Sequence, residues 1–452
     1  MPRLVRSLVA ALCVAGLAAT ASCSRDAQPS QGDRVLTVAA VDNGDLDRLR
    51  DLSQEFTKTR PGTQIEWVRQ SENDIRETIS TDVATEGGRF DVVTIGPFEA
   101  QIWGDRSLLT PLKDMPAGFD AEAFVPAVRD VMSYDGQLLA APFYGESVFT
   151  MYRRDVFAQA GLTMPEQPTW QFILDAAQKI GQSGDVKGIC VRGRAGWGEN
   201  MAFVTSMARS YGAQWFDDAW VPQLDSQEWQ RTVADYLTLA GQAPEGVADN
   251  GFQANLALFQ QGKCAMWIDA TSAASFVADP KVSTVADQVG FAMAPSSSEA
   301  GKPMNWLWAW GLAVPENSDS KDLAREFVAW ATSADYHTLV ASHYGVANVP
   351  PGARSDLYTN AEYVQAAPYA PLVAASIERE KSSGETSTAA AHESAQYVAV
   401  PAFQSIGNAV GQQLNQAIRG EITPQQALEN SQWVADTVIA RTRALAQQTT
   451  GN

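Results

Sequence analysis

The run Val35-Leu36-Thr37-Val38-Ala39-Ala40, followed by Asp42-Asn43-Gly44-Asp45 and then by Leu46, Leu49, Leu52 and Phe56, decides the fold class. The first six residues are β-prone and read as a strand. The polar quartet reads as a loop, and apolar residues at three- and four-residue spacing read as an amphipathic helix. Pro61-Gly62 punctuates the chain, Ile65-Glu66-Trp67-Val68 reads as a second strand, and Ile75, Ile79 and Val83 mark a second helix. A third strand over 91–95 ends at Gly96-Pro97. This alternation predicts an α/β protein with a parallel, doubly wound sheet, in which ligands sit beyond the carboxyl ends of the strands.

Further helices are predicted over 170–180, 201–211 and 229–240, and a strand over 264–269. A β-prone run over 306–314 leads through Pro315 to a helix over 321–331, and 381–388 reads as a polar loop. The ~420 residues from 34 onward exceed one ordinary core, so two lobes are expected. With 33 basic against 52 acidic residues the net charge is −19, which excludes nucleic-acid binding. No phosphate-cradling glycine loop, nucleophile elbow or zinc-protease motif occurs, which favours binding over catalysis.

The amino terminus has basic Arg3 and Arg6, an apolar stretch over 8–19 too short to span a bilayer, and Thr20-Ala21-Ser22-Cys23. That layout predicts an exported protein with a signal peptide over 1–22. The last four residues resemble a bacterial lipobox, with Thr20 where leucine is usual, so Cys23 is the expected lipidation site. A soluble secreted protein with a spare cysteine is the alternative. The polar 23–33 then serves as the lipidated cysteine and flexible tether. Cys190 and Cys264 remain for the folded body, where an oxidising compartment favours one disulfide over two buried thiols. Three histidines without ligand spacing to a cysteine predict no metal site.

Several longer motifs carry a family resemblance: Val41-Asp42-Asn43-Gly44-Asp45, 87–96, Pro142-Phe143-Tyr144-Gly145-Glu146-Ser147, Gly196-Trp197-Gly198-Glu199-Asn200-Met201, 262–271, Trp306-Leu307-Trp308-Ala309-Trp310 and 347–352. Together they resemble the extracellular solute-binding proteins of carbohydrate ABC importers, and within these the mannitol/sorbitol (polyol) branch. The resemblance implies a two-lobed periplasmic-binding-protein (flytrap) fold, each lobe a sheet flanked by helices, with several crossings between lobes. The lobes are expected at 34–141 plus 295–351 and at 142–294 plus 352–452. The implied ligand is a small sugar alcohol, and the implied partners are an ABC permease in the membrane and, through it, a cytoplasmic ATPase. A monomer without cofactor, tethered at the outer face of the cytoplasmic membrane, is expected. The alternatives are a binder of mono- or disaccharides and, in another class, a secreted glycoside hydrolase.

An uncharged polyol needs a donor or acceptor for each buried hydroxyl, so carboxylates, amides, Arg and Trp are the residues to weigh. Asn43 and Glu99 each follow a strand; the alternatives are a self-bonded turn for Asn43 and a first-turn helix charge for Glu99. Glu146 sits at the expected first crossing and matches a ligand-contacting position in the family. Trp197, Glu199 and Asn200 form a glycine-flanked loop before a helix, where either polar residue could instead be a cap. Asp269 ends an apolar strand, as a ligand acceptor or a helix cap. Trp306, Trp308 and Trp310 share a strand face, with Trp308 as the expected wall and core packing the role of the other two. Arg192 and Asn348 are further polar candidates.

Overall fold

The computed structural model describes residues 34–182, 186–381, 394 and 396–450. The expected signal peptide, Cys23 and its tether, and all of the 381–388 run but its first residue, lie outside them. Ten strands are described: β1 (Arg34–Val41), β2 (Thr63–Gln70), β3 (Val92–Ile95), β4 (Ser133–Tyr134), β5 (Gln137–Leu138), β6 (Ala140–Glu146), β7 (Val148–Arg153), β8 (Met266–Ala270), β9 (Val289–Met293) and β10 (Trp308–Ala313).

The opening stretch folds as its pattern dictates. β1 leads to α1 (Gly44–Lys58), whose first turn is capped by Asn43 Oδ1 accepting from Leu46 N at 3.0 Å. Leu46, Leu49, Leu52 and Phe56 are all buried. Each such side chain contributes ~1.5–3 kcal/mol by leaving water. The helices α2 (Glu72–Ala84) and α3 (Pro97–Gly104) follow β2 and β3 in the same way.

The first lobe is built on a five-stranded sheet in the order β2-β1-β3-β10-β6. β1 runs parallel to β2 and β3, as predicted, but β10 is antiparallel to both its neighbours. The departure from an all-parallel sheet has a simple cause. β6 leaves this sheet at Glu146, and Trp308, where β10 begins, pairs with Glu146, so the chain comes back in at the end from which it left. The second lobe carries a three-stranded antiparallel sheet, β8-β7-β9. Residues 187–190 add a short parallel edge to it, through bridges of Lys187 with Cys264 and of Cys190 with Trp267.

One residue, Ser147, separates β6 in the first sheet from β7 in the second. The passage expected at 141/142 therefore lies about five residues later, because β6 stays paired to its end. The return passage runs beside it, since Ser147 Oγ donates to Asn305 Oδ1 at 2.8 Å. A third segment runs alongside: Gly145 N donates to Pro351 O at 2.9 Å, and Gly352 has φ +73°. A Cβ on Gly352 would lie 1.9 Å from the Gly145 carbonyl oxygen, so only glycine fits. Residues after it stay with the first lobe, for Val125 N donates to Ala353 O and Arg354 Nη1 to Thr332 O. The helix Ala370–Lys381 that follows packs on both lobes, on Pro126–Val131, β6 and Ser355–Thr359 of the first and on β7 and β9 of the second. The last helices, Phe403–Ile418 and Pro424–Thr450, pack on the second-lobe helices Asn200–Ser210 and Gln227–Ala240.

Cys190 and Cys264 are joined in a disulfide with their Cα atoms 5.5 Å apart. The bond closes a loop of 74 residues' separation and pins the 187–190 edge to the segment leading into β8. Reduction is expected to lower the unfolding free energy by ~4 kcal/mol, the loop-closure value for that length. Urea unfolding with and without reductant measures it, and an unchanged midpoint would show that the bond contributes nothing.

Candidate functional site

A cavity of about 290 Å³ opens between the sheets at the carboxyl ends of β1, β6 and β8, where Val41, Glu146 and Ala270 line it. That is the lower end of the ~300–1,000 Å³ range of small-molecule sites. Each wall follows from the elements that end there. From the first lobe, Asn43 caps α1 with its oxygen and donates its amide to Tyr144 Oη at 2.9 Å, presenting both on one wall. Glu72, the first residue of α2, stands beside them. Its carboxylate is held by Arg76 one turn on, at 2.9 and 3.3 Å. The Arg76 guanidinium lies 4.4, 4.9 and 4.6 Å from the rings of Trp197, Trp308 and Trp310, cation–π contacts that hold the aromatic wall together.

The second lobe contributes Arg192, Glu199, Phe252 and Ser272. Arg192 grips Asp269 through Nε (2.9 and 3.2 Å) and Nη2 (2.6 Å), and donates Nη1 to Gly198 O at 2.9 Å. Glu199 occupies the cap position of the helix Asn200–Ser210 without capping it. Its Oε2 instead accepts from Phe252 N at 3.4 Å, and Gly251 leaves room for this, since a Cβ there would lie 2.5 Å from that oxygen. The lobes also touch across the cleft: Gln253 Nε2 donates to Asp42 O at 3.1 Å, and Asn73 Nδ2 to Ala195 O at 3.1 Å.

Of the sequence candidates, Asn43, Glu146, Arg192 and Glu199 line this cavity, and Trp197 and Trp308 line a smaller chamber that opens off it. Four do not reach either space. Glu99 is consumed by Arg76 and by Gly96 N at 2.9 Å, as a cap. Asn200 accepts from Gly196 N and donates to Gly411 O, tying its loop to a C-terminal helix. The oxygens of Asp269 are taken by Arg192, Trp267 Nε1 and Ala270 N. Asn348 takes Arg48 Nη2 at 2.6 Å and donates to Tyr344 O. Conversely, Glu72, Tyr144, Ser272 and Trp310 line the cavity without having been singled out as binding residues. Glu72 follows β2 as Asn43 follows β1, so the strand-end rule could have found it. Among the described residues no cluster of His, Cys, Asp or Glu could hold a metal.

Two carboxyls in this space have no cation of their own. Glu146 accepts from Ser272 Oγ at 2.5 Å, while Glu199 lies 3.9 Å from an arginine already committed to Asp269. Burial pushes Glu146 up to about 8, against the lowering effect of Ser272 and Arg192. Burial likewise pushes Glu199 up to about 7, against Arg192. A carboxyl that titrates near 4.5 unfolded and about 8 folded is protonated in the fold across that window. Its contribution to stability is full below the lower value and is lost as pH rises through the upper one. Ligand-free Glu146→Gln is therefore expected to be more stable than the wild type at pH 8, by at most ~1.4 kcal/mol per pKa unit. The gap closes towards pH 5. Urea midpoints across that range test this, and a variant less stable at pH 8 would contradict it.

Comparison with known proteins agrees with this architecture. Residues 43–338 match the model of the bacterial extracellular solute-binding protein family. A mannitol-binding protein of Pseudomonas aeruginosa is 44% identical over 89% of this chain and 92% of its own. Among solved structures, an ABC transporter solute-binding protein of Agrobacterium vitis S4 with bound D-mannitol superposes with a TM-score of 0.87 and 50% identity, covering 90% of this chain and 99% of that one. A second, from Agrobacterium radiobacter K84 in complex with ribitol, has a TM-score of 0.79 at 22% identity over 90% and 99% of the two chains, a likeness of fold alone. With its two lobes, its sheets joined by adjacent crossings and a cavity where they meet, this chain belongs to the bacterial extracellular solute-binding protein family.

Proposed function

We propose that this protein captures a small acyclic polyol of about the size of mannitol in the cleft between its lobes and presents it to the permease of an ABC importer. The cleft's make-up carries the reading. Asn43, Glu72, Tyr144, Glu146, Arg192 and Ser272 set donors and acceptors closely around a small volume, with Trp310 as an apolar wall. An uncharged molecule bearing a hydroxyl on each carbon meets such a lining without stranding polar atoms, whereas a disaccharide calls for more room. The resemblance to a mannitol-binding protein and to a mannitol-bound structure supports the same class of ligand. The family is one of binding proteins, so the glycoside hydrolase alternative falls.

The lobes in this reading comprise 34–146 with 305–369, and 147–304 with the helices Phe403–Ile418 and Pro424–Thr450. Glu72 of the first lobe already lies against Gly198 of the second, where a Cβ would lie 2.2 Å from the Glu72 carboxylate. The permease and ATPase belong to this proposal, as does a lipid anchor on Cys23, carried by Thr20-Ala21-Ser22-Cys23.

The test is the thermal midpoint of the purified protein against mannitol, sorbitol, ribitol, xylitol and erythritol beside glucose, maltose and trehalose. A ligand that binds only the folded state at 100 times its Kd stabilises by ~2.7 kcal/mol. A rise with one or more polyols is expected. Shifts confined to the sugars would overturn the polyol assignment.

A further inference from the structure

The main cavity continues into a side chamber of about 20 Å³, which shares Glu72, Glu146, Arg192 and Trp310 with it; Trp197, Trp308 and Gln396 are among its other walls. Two of these residues carry buried polar atoms without a hydrogen-bond partner: the indole Nε1 of Trp197 and the amide Oε1 of Gln396. Trp197 is 2% exposed and Gln396 6%, so water outside the protein does not serve them. Buried polar groups are almost always paired, and each exception calls for an occupant.

The two orphans are complementary. An indole N–H can only donate, and an amide oxygen can only accept. A single hydroxyl does both. The chamber's volume suits one such group, since ~10–15 Å³ admits one water-sized centre. A methyl group in the same space would leave both atoms bare, at the full desolvation cost. A pyranose ring has no place in so small a recess, but the end of an open chain does.

We propose that this chamber is the subsite for a terminal hydroxyl of the ligand, with Trp197 Nε1–H donating to that oxygen and Gln396 Oε1 accepting its proton. The inference rests on the polyol reading of the cleft and adds to it a determinant of chain end. The rest of the carbon chain then lies in the main cavity, between Glu146 and Arg192 on one side and Asn43 on the other. The Trp197 ring is fixed for this task from several sides. Its backbone N–H donates to Asn408 Oδ1 at 3.0 Å, and its ring packs on Phe98 and Trp308 at centroid distances of 5.1 and 5.8 Å.

The experiment is a double-mutant cycle between protein and ligand, read by titration calorimetry. D-mannitol and 1,6-dideoxymannitol are the probes, because mannitol's two ends are equivalent and both must lose the hydroxyl. The proteins are the wild type, Gln396→Met, which keeps length and removes the amide, and Trp197→Phe, which removes the indole N–H and keeps a ring. The wild type is expected to prefer mannitol, and that preference is expected to shrink by about fivefold or more in either variant, the size of a coupled buried pair. An unchanged preference in folded variants would overturn the proposal. So would an equal loss for both ligands, which would mean that the chamber holds a water. If the wild type binds no polyol of the thermal panel, the polyol reading itself falls first, and this outcome is distinct from the other two.

Discussion

The binding wall of the second lobe depends on one buried ion pair, Arg192 with Asp269. The two residues are 77 apart in sequence and almost wholly removed from water, and three N–O contacts of 2.6 to 3.2 Å join them. A pair of this kind gains little net stability over an apolar one, but removing either partner strands a buried charge at a cost of ~3–5 kcal/mol. What it secures here is position. Arg192 also holds the Gly198 carbonyl, so the loop bearing Trp197 and Glu199 is placed by the same guanidinium. Asp269 is itself oriented by Trp267 Nε1 and its neighbour's backbone N–H. The disulfide two residues before Arg192 and the bridges around it keep the two segments side by side.

The first lobe uses the same logic with the partners exchanged. Arg76 binds Glu72 and Glu99 at once and lies against three tryptophans. Two of those rings, Trp308 and Trp310, belong to β10 of the first sheet, whereas Trp197 comes from the second lobe. The guanidinium is therefore both the counter-ion of a cavity carboxylate and a contact between lobes. Because the arginines are spent in this way, Glu146 and Glu199 are left facing the cavity without full compensation, which is why burial raises both. A neutral, hydroxyl-rich ligand suits such a cleft better than an anion, since its hydroxyls can donate to a carboxylate or accept from a carboxylic acid.

Much of this was legible in the residues. The strand-loop-helix reading of 35–56 succeeded because the periodicity is carried by neighbours three and four apart, and α1 with its Asn43 cap follows directly. The strand-end rule led to Asn43, and the glycine-flanked loop led to Trp197 and Glu199, all of which reach the cavity or its side chamber. The same reasoning led to Glu99, Asn200, Asp269 and Asn348, which line neither space. Each has the chemistry of a ligand contact, and each is taken by a partner: Arg76, Gly411, Arg192 and Arg48, respectively. The last pair is 300 residues apart, beyond any local pattern.

The sequence by itself determined the α/β class, the placement of most strands and helices, and the membership of a family whose motifs run through the chain. It did so because backbone periodicity, turn residues and caps act over a few residues. Only the tertiary structure decided that β10 runs antiparallel, that the first passage falls at Ser147, and which carboxylates face the cavity rather than an arginine. Those outcomes depend on where the chain re-enters a sheet and on which charges meet after burial. Both are set by contacts between residues far apart in sequence, whose energies no local spacing records.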